Sequence, residues 1–142
     1  MKASIIYNSH SGTTKALAIE ISKFLSDRGI ENEVGSIDRY DREYLRSADL
    51  VMLGCWTSGL MIIAQHPDRP WKYFAKRMSP INDKPVVFFT TYKLATGSFF
   101  RRMRKTLNGK ISKPAAIIKS KNRSLSDENR AVLERLVGEI IR

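Results

Sequence analysis

The chain has a single cysteine, Cys55, and two histidines, His10 and His66. One thiol excludes an internal disulfide framework and fits a reducing, cytoplasmic compartment. Scattered as they are, these three residues do not make a metal site. No apolar run approaches the roughly 18 residues that a membrane-spanning helix needs. The N-terminus runs directly into a β-prone segment, so no leader peptide is expected. Five prolines and eight glycines form no low-complexity tract or linker, so 1–142 is expected to be one domain burying about two-thirds of its unfolded surface. Negative charge is also scarce, with 14 acidic residues against 25 lysines and arginines for a net +11. Such an excess bears on partners rather than on fold.

The most informative stretch is Ser9-His10-Ser11-Gly12-Thr13-Thr14. Before it, Ala3-Ser4-Ile5-Ile6-Tyr7 is short, largely apolar and β-prone, as a buried strand should be. After it, Leu17, Ile21 and Leu25 recur every four residues, with Ala18 and Phe24 widening the same helical face. Four of the six loop residues carry hydroxyls and one is glycine. A helix N-terminus offers unpaired N–H groups and the positive end of a dipole, so the loop is suited to a phosphate. Its spacing excludes the lysine-containing triphosphate loop and the three-glycine dinucleotide loop. A single phosphate monoester is what remains, with an ordinary N-capped turn as the plain alternative.

Further on, Glu31–Ser36 reads as a second strand with Val34 as its core residue, and Asp41 caps a brief helix. Asp49–Gly54 and Pro85–Thr90 read as fully buried strands, and Asp68 with Pro70 starts a helix carrying Trp71, Phe74 and Ala75. Ser98–Leu107 is predicted as a basic helix with Phe100, Met103 and Leu107 inward. Pro114–Lys119 is predicted as the last strand, with 115–118 as its core, and Ser126 caps a final amphipathic helix. Five strands alternating with helices imply an α/β, three-layer, doubly wound parallel sheet. Ranking the strands by apolar continuity gives the order 2-1-3-4-5, with the ligand crevice at the carboxyl ends of strands 1 and 3.

The Ser/Thr-x-Ser/Thr-Gly-x-Thr pattern between that strand and helix resembles the phosphate loop of the flavodoxins, and the element order resembles theirs along nearly the whole chain. The resemblance implies FMN as cofactor and electron transfer as function. By position, Ser9, Ser11, Thr13 and Thr14 would hold the phosphate through hydroxyls, with His10 and Gly12 adding backbone N–H groups. Trp56 and Tyr92 would flank the flavin ring, and Thr57, Ser58 and Gly59 would contact its reactive edge. Thr91 and Lys93 complete the third loop. No residue is placed by motif as a catalytic nucleophile or base.

Arg101, Arg104 and Lys105 share a helix face and are candidates for docking an acidic redox partner protein. Two alternatives remain at this stage. One is a small FMN oxidoreductase acting on a quinone or similar acceptor. The other is a flavin-free module for anions or nucleic acid, disfavoured because no nucleic-acid motif is present.

Overall fold

A computed structural model of the protein describes residues 1–10, 12–56, 67–92 and 98–141. Strands and helices alternate along it: β1 (Lys2–Asn8), α1 (Thr13–Asp27), β2 (Glu31–Ser36), α2 (Arg42–Ser47), β3 (Leu50–Cys55), α3 (Arg69–Arg77), β4 (Val86–Thr91), α4 (Phe99–Thr106), β5 (Ala116–Ser120) and α5 (Asp127–Ile141). The strands form one parallel sheet in the order β2-β1-β3-β4-β5, as the apolar ranking predicts. β3 and β4 are buried along their whole lengths, because helices cover both faces of a central parallel strand.

Alternate residues of the strands feed two cores. On one face Ile5, Met52, Val87, Phe89 and Ile118 pack under α1 and α5, through Leu17, Ile21, Phe24, Leu133 and Val137. On the other, Ile6, Val51, Leu53 and Phe88 pack under α2, α3 and α4, through Leu45, Trp71, Phe74, Phe99 and Met103. Gly54 in β3 makes one of these contacts possible. A Cβ there would lie 2.0 Å from the ring of Phe89, so only a bare backbone lets that ring lie across the strand.

Two expectations are corrected. In α4 the fully buried positions are Phe99, Met103 and Leu107, spaced i, i+4, i+8, whereas Phe100 is only partly covered. In β5 the core narrows to Ile118, while Ile117 is 46% exposed. β5 is an edge strand, paired among the described residues only with β4, and Ile117 lies on its Phe88 face. Part of the positive charge is structural. Lys84 Nζ donates to the carbonyls of Arg46 and Ala48 at the end of α2. Lys110 Nζ does the same for Ala75 and Lys76 at the end of α3. Both ammonium groups thereby satisfy last-turn carbonyls at the negative ends of helix dipoles.

Candidate functional site

The carboxyl ends of β1, β3 and β4 lie side by side, with Asn8 paired to Cys55 in the sheet register. Beyond β1, the chain folds around the Ser9 hydroxyl. Its oxygen accepts from the backbone N–H of Gly12 at 3.0 Å and of Lys15 at 3.3 Å. Gly12 has φ 90°, a left-handed conformation that L side chains resist, and the space beside it is open. Loop and first-turn N–H groups therefore already converge on one oxygen at the positive end of α1, whose first turn holds no acidic residue. An anionic monoester fits this donor set. Thr13 is half-buried at the same turn. Thr14 faces the other way. It is 1% exposed, and its hydroxyl meets that of Thr91 at 2.7 Å, pinning the first turn of α1 to the end of β4.

Beyond β3 stands Trp56, half-buried, its backbone N–H bonded to the Asn8 carbonyl at 3.2 Å. Its indole stacks on exposed His10, with centroids 4.6 Å apart and planes 26° from parallel. The indole N–H donates to Asp68 Oδ2 at 2.7 Å. Asp68 Oδ1 accepts from the Asn8 amide at 2.6 Å and from the Trp71 backbone N–H at 3.0 Å, the latter capping α3. Cys55 lies beneath, fully buried, with the Asn8 amide 3.4 Å from its sulfur. Burial pushes its thiol up to about 12, against a smaller opposing pull from the Asn8 hydrogen bond. It is a packing residue and not a nucleophile at neutral pH.

Beyond β4, Tyr92 is half-buried, its N–H bonded to the Ser120 carbonyl at 3.1 Å, with the Lys121 ammonium 5.9 Å from its ring centre. The structure thus brings Ser9, His10, Gly12, Thr13, Thr14, Trp56, Thr91 and Tyr92 to one edge of the sheet. Ser11, Thr57, Ser58, Gly59 and Lys93 lie outside the described residues.

Asn8 and Asp68 were not readable as site residues. Asp68 carried a helix-cap signal, which it obeys, but its second use depends on a contact with Asn8 across 60 positions of sequence. The positive surface is also wider than one helix. α3 carries the exposed cations Arg69, Lys72, Lys76 and Arg77 and α4 carries Arg101, Arg102, Arg104 and Lys105, and neither helix contains an acidic residue. The two helices meet at a hollow lined by Pro67, Lys72, Arg102, Lys105 and Thr106. Among the described residues, ion pairs occur at Lys2, Arg28 and Arg46 and at none of these eight cations.

Comparison with known proteins agrees with this architecture. Residues 4–126 match the flavodoxin domain family. The chain is 24% identical to a flavodoxin of Clostridium beijerinckii over 105 residues, which covers 74% of this chain and 75% of the relative. In fold it is similar to an archaeal flavodoxin, at 21% identity with TM-score 0.69 and both chains fully covered. It is similar also to the flavodoxin of Streptococcus pneumoniae, at 18% identity with TM-score 0.70, covering 99% of this chain and 98% of the other.

Proposed function

The chain belongs to the flavodoxin family, and we propose that its 9–14 loop holds the phosphate of FMN while Trp56 and Tyr92 flank the flavin ring. It is an FMN-binding electron-transfer protein, and when bound the flavin supplies the one- and two-electron chemistry. The protein's part is to bind, orient and shield. A phosphate oxygen taking the place of the Ser9 hydroxyl oxygen would receive the Gly12 and Lys15 N–H groups, with the hydroxyls of Ser9, Ser11 and Thr13 around it. Thr14 and Thr91 brace the cradle from behind. Thr57, Ser58, Gly59 and Lys93 contribute from the two neighbouring loops.

The observation that carries this reading is the convergence of the Gly12 and Lys15 N–H groups on one oxygen at the start of α1. Gly12→Val tests it. Valine resists the left-handed backbone, so the variant should fold yet bind FMN at least about tenfold more weakly, as expected from losing a charge-assisted bond. Unchanged quenching of FMN fluorescence would place the phosphate elsewhere. The family assignment favours neither the quinone-reducing enzyme nor the flavin-free module.

For the partner, the reading is an acidic redox protein. α3 and α4 both start at the flavin edge, so a partner seated on the cations of their first turns, Arg69, Lys72, Arg101 and Arg102, would lie towards the ring. Charge complementarity would steer its approach. Among the described residues no helix is long and apolar enough to cross a membrane. The free, buried cysteine fits a cytoplasmic setting.

A further inference from the structure

Trp56 is held at both ends. Its backbone N–H bonds the Asn8 carbonyl, and its ring N–H bonds Asp68, which also grips the Asn8 side chain. The three residues form a closed ring of hydrogen bonds joining the end of β1 to the start of α3. That ring is short of freedom: the Asn8 side chain is 9% exposed, and Asp68 is fixed by the α3 backbone that it caps. Three donors converge on the Asp68 carboxylate: the Asn8 amide, the Trp56 indole N–H and the Trp71 backbone N–H.

We propose that Asp68 is a positioning residue for the flavin-flanking indole. It fixes the plane and height of the Trp56 ring relative to the phosphate loop, because the loop follows Asn8 at the end of β1 and both Trp56 and Asp68 are bonded to Asn8. The proposal rests on the reading that Trp56 flanks the flavin. Its physical content is twofold. A locked indole loses little rotamer freedom when a flat ring stacks on it, which favours binding. A carboxylate accepting from the indole N–H also makes the indole more electron-rich and sets a negative charge behind it. Both effects favour the electron-poor oxidised flavin over the reduced one, which gains electrons. Asp68 thus lowers the flavin's reduction potential locally, in a protein whose net charge is +11.

The test uses Asp68→Ser, which retains a helix cap but cannot reach the indole, and Asp68→Asn, which keeps the size and the capping oxygen but turns an amide NH2, a donor, towards the indole N–H. The protein has two tryptophans, and the indole N–H of buried Trp71 bonds Thr106 Oγ1 at 3.0 Å, so it serves as the internal reference. In flavin-free protein, Asp68→Ser should shift the Trp56 indole N–H resonance and speed its hydrogen exchange by about tenfold or more, the equivalent of one charge-assisted bond. The Trp71 indole should stay in place, which reports an intact fold. In FMN-loaded protein the same variant should bind FMN about tenfold more weakly. Asp68→Asn should bind FMN as weakly as Asp68→Ser, because it loses the same indole acceptor while keeping the cap, and both variants should raise the midpoint potential. An unmoved Trp56 resonance in Asp68→Ser overturns the proposal. So does a Trp56→Ala variant that weakens FMN binding while Asp68→Ser leaves affinity and potential unchanged. If Trp56→Ala also binds FMN as the parent does, the flavin-flanking reading falls, and the proposal with it.

Discussion

Thr14 and Thr91 are 77 residues apart in sequence and meet hydroxyl to hydroxyl at 2.7 Å, both buried. Their bond joins the first turn of the helix behind the phosphate loop to the carboxyl end of β4. A buried hydroxyl left without its partner costs about 1–3 kcal/mol. Thr14→Val and Thr91→Val are therefore each expected to lower stability by that amount. The double variant should lose less than the sum, with a coupling of about 1 kcal/mol in a denaturation cycle. Thr14→Val should also weaken FMN binding, because the cradle loses its brace.

Gly54 and Phe89 form a second tight pair. Gly54→Ala sets a methyl group against the fully buried Phe89 ring, which must shift to admit it. The expected cost is about 1–3 kcal/mol, as for overpacked cores. Phe89→Leu in the same chain should recover part of it, a rescue that urea unfolding of the single and double variants would reveal.

Cys55 gives a pH dependence whose sign is fixed by burial. Its thiol rises from an ordinary 9.0 to about 12 in the folded protein. A raised acid pKa means that the folded state favours the protonated form. That contribution is present in full below pH 9.0 and is lost as the pH climbs towards about 12. Melting temperature should accordingly fall more steeply between these values than in Cys55→Ala, when both are followed by circular dichroism. At pH 8 an alkylating reagent should leave the folded thiol unmodified and label it once the protein is unfolded.

The α3–α4 surface predicts a salt signature. Electron transfer to a negatively charged redox protein should be fast at low ionic strength and slow steeply as salt is added. A positively charged acceptor should show the reverse trend. Replacing Arg101, Arg104 and Lys105 together by glutamate should slow the first reaction by about tenfold or more and flatten its salt dependence, with the flavin spectrum unchanged. Stopped-flow mixing of the photoreduced protein with each acceptor measures this.

The features legible in the sequence are those written locally. The 9–14 loop declares itself because strand, glycine and helix are consecutive. β3 and β4 declare themselves because a strand buried on both faces must be apolar at every position. Asp41 and Asp68 cap the helices that they announce. The sequence points to Phe100 as inward where Phe99 is the buried residue, because α4 has only eight residues, too few to fix the phase of its buried face. Ile117 reads as core by composition, and only its place on the edge strand leaves it exposed. The tie from Asp68 to Asn8 and Trp56 is not legible at all, since it depends on the sheet bringing residues from three distant points of the sequence together.

The central claim is that this cradle recognises a phosphate monoester and that the aromatic residues recognise the rest. Comparing FMN with riboflavin isolates the phosphate, because the two share the same ring and ribityl chain. Titration by flavin fluorescence should give riboflavin an affinity at least about a hundredfold below that of FMN, the worth of two charge-assisted hydrogen bonds at the lower end of their range. Equal affinities for the two would contradict the account, for the 9–14 loop would then not be holding the phosphate.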